Sequence, residues 1–525
     1  GSREILSTTG PLSEEQENHI RNNLAEAYFY MERYENAMNI AIPLIDSLSK
    51  QDPGNPYLAS LCYLVGDAAW KEGDYDRRVV DFYRLGRKYN PLYPPGSGER
   101  SNVAALRMAN IYYQRGMDEG NPRDLQMAIE EYLNIIREFP DTKWTYLTRY
   151  WLARTYERYA DVLADPKSEV HDPAKAKENY QLAYTQYDVA ITARTSSVNV
   201  DKKNQDKLKD CYFRPGRCAY EAGNLPKARD LLGTAIVWSA TGAPGDPRAI
   251  PCREMLGDIY LELGHPDQAI RIYEYYLDNK FYQQDARGDS LSRVSLKLAH
   301  AYLRRFSYGQ ARDLLRQVVR DNPVVRAPGG KEVEEGPGLK AQRLIAQSYR
   351  DEAEVSFDET RKDKLRSAKT EYGALLQMNP NEWDAVRALA EISFDLANSE
   401  NPDSYREAVN YYEQYIESDM VELAKDRDVI YYRWGDGYAR IKDYEKAAAG
   451  LEKISGTTMP KEMYARSLLL LGECYEKLAS SQDKDEFRKQ YYIGKAKETY
   501  KNAIETKDPF AAQVARNRIT MMNIS

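Results

Sequence analysis

An all-α fold is what this 525-residue sequence predicts: a right-handed superhelical solenoid of tandem antiparallel helix pairs, closed by a C-terminal capping helix. Three observations predict it. One skeleton of small and aromatic residues returns along the chain, most often at spacings of 41 to 47 residues. Within each copy, apolar and small residues recur at i, i+4 and i+7, the spacing of a single helix face. And 43 tyrosines stand against 10 phenylalanines. A core built on tyrosine must send hydroxyls to water or to partners, which suits thin two-layer helical folds.

The clearest copy is LKLAHAYLRRFSYGQARDLLRQVVRDNP (296–323), with Leu298-Ala299, Tyr302, Tyr308, Ala311, Leu315, Val318 and Pro323. The same skeleton stands in MLGDIYLELGHPDQAIRIYEYY as Leu256-Gly257, Tyr260, Gly264, Ala269, Tyr273 and Tyr276. In WGDGYARIKDYEKAAAGLEKI it is Trp434-Gly435, Tyr438, Tyr444, Ala447, Leu451 and Ile454. A Gly- or Asp-bearing break separates two helical stripes in each copy, and Pro or Asn-Pro ends the second.

The first-helix small residue runs through the chain as Ala25, Gly66, Ala109, Ala153, Gly216, Gly257, Ala299, Ala346, Ala390, Gly435 and Gly472. Its second-helix partner follows as Ala37, Ala128, Ala176, Ala228, Ala269, Ala311, Ala368, Ala408, Ala447 and Ala496. That is eleven units, the second of them defective, with Arg78 where alanine belongs. Residues 1–12 read as a tag remnant and a disordered lead, 13–508 as one continuous solenoid, and 509–525 as the cap such arrays need. Extra length is expected between the helices of a unit at 118–124, 160–173, 353–363 and 480–490. Between units it is expected at 91–101, 195–207, 239–249 and 327–338.

These residues resemble the tetratricopeptide repeat, W-x2-L-G-x2-Y…A-x3-F…P, although their period exceeds its usual ~34 residues. The resemblance covers nearly the whole chain. It implies a protein-interaction scaffold. Endings such as EFP in YLNIIREFPDTKW (132–144) also resemble, more loosely, the tetratricopeptide proteins of bacterial outer-membrane assembly and the Tol-Pal system. That second resemblance implies the bacterial periplasm or cell envelope; the alternative is the cytoplasm.

Chemistry is not signalled. His19, His171, His265 and His300 lie far apart, and there is no HExxH, no GxSxG and no His/Cys cluster at metal spacing. Gly330-Lys331 lacks the upstream glycine of a Walker loop and is followed by Glu332. Gly435 and Gly437 follow a helical run rather than a strand, so they read as packing glycines and not as a phosphate cradle. The expectation is no enzyme, no cofactor and no metal. Cys62, Cys211, Cys218, Cys252 and Cys474 show no pairing pattern and read as buried thiols. A net charge of −7 gives no general affinity for nucleic acid or an anionic membrane, and no run approaches the ~18 apolar residues of a span.

The partner-binding expectation comes from first-helix positions offset from the packing stripe, which face the concave side of such an array. The fourth and fifth units supply Tyr150, Arg154, Arg158, Phe213, Arg217 and Tyr220; the seventh and eighth supply Arg293, His300, Arg304, Lys340, Arg343, Gln347 and Arg350. One reading is a solvated helix face with acidic neighbours such as Asp351. The other is a groove for a protein, or for an acidic or carboxylate-ended peptide. A third possibility is a structural component of an envelope assembly that binds folded partners through its edges or ends.

Overall fold

The structure, a computed structural model, describes residues 12–73, 77–89, 98–118, 120–140, 145–195, 204–242, 245–278, 288–323, 335–398, 401–418, 420–482 and 485–524. Two compact units divide the chain, 1–265 and 266–525. The first holds helices α1 (Glu14–Tyr30), α2 (Tyr34–Gln51), α3 (Tyr57–Glu72), α4 (Arg77–Tyr89), α5 (Gly98–Asp118), α6 (Pro122–Glu138), α7 (Thr145–Ala164), α8 (Pro173–Thr195), α9 (Gln205–Glu221), α10 (Leu225–Gly242) and α11 (Ala249–Glu262). The second holds α12 (Pro266–Asp278), α13 (Gly288–Arg304), α14 (Tyr308–Asp321), α15 (Pro337–Glu354), α16 (Asp358–Met378), α17 (Trp383–Leu396), α18 (Arg406–Glu417), α19 (Arg427–Arg440), α20 (Tyr444–Leu451), α21 (Lys461–Ser480), α22 (Glu486–Glu505) and α23 (Pro509–Ile524). No strand occurs among the described residues, and no helix there is long and apolar enough to cross a membrane.

Within each unit every helix packs on the next in sequence, and first helices also touch the first helix of the following pair, as α5 does α7 and α13 does α15. One turn recurs where the pairs are tightest. The N–H of Arg33, Asn224, His265, Ser307 and Asp443 bonds the carbonyl of Tyr28, Ala219, Tyr260, Tyr302 and Tyr438 in turn. This is the six-to-one bond of a Schellman cap, which needs a left-handed residue just before its donor. Those residues are Glu32, Gly223, Gly264, Phe306 and Lys442, all at positive φ. Glycine takes that conformation without steric cost, whereas phenylalanine is forced into it.

All the small residues of the two predicted series are buried. A Cβ on Gly66 would stand 2.7 Å from the Tyr83 ring, and one on Gly435 2.6 Å from Leu451 Cγ. Gly437 faces Val409 of the preceding pair, so the Gly-Asp-Gly run is a helix crossing on both sides. The partner at the crossing is the residue four beyond the second-helix alanine: Leu451 after Ala447, Tyr500 after Ala496. By that register the second pair is whole. Val79 fills the alanine slot at 3% exposure and leads to Tyr83, while Arg78 points to solvent, so the expected defect was a one-residue misalignment.

The crossing register also explains the tyrosines. The hydroxyls of Tyr83, Tyr180, Tyr372 and Tyr500 donate to Asp67 (2.9 Å), Asp161 (2.7 Å), Gln347 (2.9 Å) and Glu476 (2.7 Å) on the facing first helix; Tyr132 likewise donates to Asn110. Each ring fills the core and each hydroxyl reaches the polar rim.

Much of the extra repeat length lies in helix rather than in loops. The break at 353–363 narrows to 355–357, since α16 begins at Asp358, and the one at 480–490 ends where Asp485 accepts from Arg488 N and caps α22. The loop stretches 91–97, 196–203 and 327–334 lie outside the described residues, as do residues 1–11 of the expected disordered lead.

Candidate partner-binding surface

In the first unit the expected basic cluster is answered from within. Glu157 on α7 is 2% exposed and takes Arg154 (3.3 Å), Arg214 (3.2 Å), Arg217 (3.1 Å) and the Tyr187 hydroxyl (2.7 Å). Arg217 also holds Asp161 at 2.7 Å, and Arg158 stands 4.0 Å from the same carboxylate. Against the desolvation that would discharge it, Asp161 and Glu157 keep the Arg217 guanidinium above its ordinary pKa. Tyr150 is buried and donates to Asp210 at 3.1 Å; burial and that carboxylate push its hydroxyl well up. Tyr220 donates to Glu262 at 2.6 Å. Phe213, 5% exposed, lies under Arg248 and edges a pocket of about 200 Å³ that Glu157, Arg214 and Cys252 also line. These residues knit first helices together, and Tyr150 offers no open surface.

The second unit differs. Arg293, His300 and Arg304 are exposed along α13; Lys340 and Gln347 are exposed on α15, with Arg343 and Arg350 half-buried beside them. The two helices touch. Acids are interleaved with their cations. Arg343 makes a two-pronged contact with Glu382 (Nη2–Oε1 2.7 Å, Nε–Oε2 3.3 Å) and reaches Glu335 at 3.0 Å. Arg350 meets Glu391 at 2.6 Å, and Gln347 donates to Asp351 at 2.6 Å. Arg304 and Lys340, by contrast, make no ion pair among the described residues. Partial desolvation and the Arg304 guanidinium hold the His300 imidazole below its ordinary pKa.

The carboxylates that answer these arginines were legible in one respect. Glu382 follows Arg343 by 39 residues and Glu391 follows Arg350 by 41, a few residues short of one repeat period in each case. Arg387 repeats the step to Asp426 at 2.7 Å. Reading each unit separately hid the ladder. No group of His, Cys, Asp and Glu among the described residues could hold a metal ion.

The tetratricopeptide repeat profile matches residues 251–278, the span of α11, its Schellman turn and α12. Residues 251–278 thus match a tetratricopeptide repeat, and the same turn and crossing register recur along both units. Among solved structures, TPR-like repeats of a kinesin light chain from Podosopora anserina are 16% identical, over 45% of this chain and 98% of that one, with a TM-score of 0.30. A tetratricopeptide repeat protein from Parabacteroides merdae is 12% identical over 57% and 92%, with a TM-score of 0.30. Yeast Tom70 is 13% identical over 98% and 96%, with a TM-score of 0.26. No curated protein matches the chain.

Proposed function

We propose that the chain is a non-catalytic protein-interaction scaffold whose second unit captures a protein or acidic peptide on the surface of α13 and α15. One observation carries this reading: Arg304 and Lys340 stand exposed on touching first helices with no ion pair among the described residues, whereas Arg343 and Arg350 beside them each hold a carboxylate. An anionic segment would complete that row, and salt would weaken the complex because exposed charges are screened over ~8–10 Å. The test is partner capture by wild type and by Arg304→Glu/Lys340→Glu. Capture should fall while the melting temperature holds, since neither side chain is packed. Arg343 is unsuited to this test, because reversing its charge would set an acid against Glu382.

A second reading, a structural component of a bacterial envelope assembly that binds folded partners through edges or ends, has its own support. Exposed apolar residues on the first and last helices and in turns include Ile20 and Leu24 on α1, Phe510 and Met521 on α23, and Phe306 (68% exposed) and Phe357 (82%) in turns. Capture that survives Arg304→Glu/Lys340→Glu but is lost with Phe306→Ser/Phe357→Ser would favour it over the first.

A further inference from the structure

The repeat register singles out one helix face. In all ten pairs after the first, the residues five before, one before and two after the first-helix small residue are buried. The second helix of the preceding pair packs there. Leu61 and Val65 of α3 share a core with Ile45 and Leu48 of α2, as Ala341 and Ile345 of α15 do with Leu315 and Val318 of α14. Gly437 of α19 faces Val409 of α18 in the same way.

α1 breaks the rule. Counted from Ala25, its three positions are Ile20, Leu24 and Ala27, and all are exposed, Ile20 at 49% and Leu24 at 44%. Met31, 60% exposed, extends them into a stripe with steps of four, three and four residues, the spacing of a helix–helix seam. Two residues are about half a helical turn, so the buried Asn22 and Ala25 lie opposite that stripe. α1 is thus apolar on both sides, and only the inner side is packed, against α2 and α3.

Charge decides which helix fits the outer side. From Glu14 to Gln51 the first pair carries seven acidic residues and three basic ones. A second copy would set like charge against like, whereas a basic helix would be attracted.

We propose that the outer face of α1 docks a basic amphipathic helix of a partner protein, in the place a second helix takes on each later first helix. The inference rests on the reading of docking through edges or ends, and it does not involve Arg304 or Lys340. The docking helix needs apolar residues three and four apart, as Leu315, Val318 and Val319 are in α14, with lysine or arginine on its flanks.

A fluorescein-labelled peptide of α14, Tyr308–Asp321, is the probe, because α14 covers the equivalent residues of α15 and carries three arginines against two aspartates. Anisotropy should report binding that Ile20→Asp/Leu24→Asp in the protein weakens at least tenfold without lowering the melting temperature. Arg316→Glu/Arg320→Glu in the peptide should weaken it to a similar degree, and Leu315→Lys/Val318→Lys should abolish it. The native cysteines among the described residues are all buried, so a Leu24→Cys thiol reports the face directly. It should react with a maleimide in the protein alone and be protected by the peptide. A Leu24→Cys thiol that resists the reagent in the protein alone means that the chain itself covers the face. Self-association of wild type that Leu24→Asp disperses means that a second copy does. Either result overturns the proposal, as does absence of peptide binding at millimolar concentration, or binding lost with Arg304→Glu/Lys340→Glu instead. Partner capture that depends on Phe306 and Phe357 while the peptide fails to bind keeps docking through the turns and discards the α1 face.

Discussion

Glycines separate cleanly by what a methyl group would meet. In Gly435→Ala the new Cβ would press on Leu451 at 2.6 Å and lie 3.2 Å from the Ala447 carbonyl, so overpacking should cost about 1–3 kcal/mol. Gly373 lies within α16 with nothing within 4 Å, so Gly373→Ala should stabilise by roughly 0.5–1 kcal/mol. Urea unfolding of the two variants should shift in opposite directions. Asp428 is fully buried and accepts from Ser455 N, Thr458 N and the Ser455 hydroxyl at 3.2, 3.0 and 3.0 Å. Despite desolvation, those bonds hold its carboxyl below the ordinary value. Its folded pKa is thus the lower one: its contribution is complete above the unfolded value of about 4 and is lost as pH falls through the folded value. Urea midpoints measured from pH 6 down to pH 3 should fall less in Asp428→Asn than in wild type. The thiols offer a third check. Burial raises Cys62, Cys252 and Cys474 to about 12, so none should react with a thiol reagent at pH 8 until the chain is unfolded.

Among the elements, the Schellman turn shows strain kept in place. Phe306 holds φ 61° with its ring 68% exposed, so neither backbone preference nor burial accounts for it. Phe306→Gly should therefore raise stability by about 1 kcal/mol, seen as a higher urea midpoint. Loss of partner capture in the same variant would assign the ring to a docking edge. The arginine ladder is the other feature of this scale. Arg343, Arg350 and Arg387 each tie one first helix to the next, so Glu382→Gln should loosen α15 from α17 and speed amide exchange in both.

Over the whole molecule, each unit is built from contacts between neighbouring helices, so cooperativity is limited by the weakest junction. Unfolding followed by far-UV circular dichroism and by tryptophan fluorescence should give non-coincident transitions. Net charge of −7 sets the background against which Arg304 and Lys340 stand out, and raising salt from 50 to 500 mM should reduce capture of an acidic partner severalfold.

The sequence by itself determined the helix pairs, the buried small residues and the crossing slot, because helix periodicity and close backbone approach act locally and leave a fixed spacing. Even the displaced alanine of the second pair was recoverable from Tyr83 four residues on. Only the tertiary structure decided which cations are free. Whether Arg304 goes without an ion pair among the described residues while Arg343 is held depends on a carboxylate about one repeat away, and stacking sets that distance. Packing is written within a repeat, whereas charge is settled between repeats.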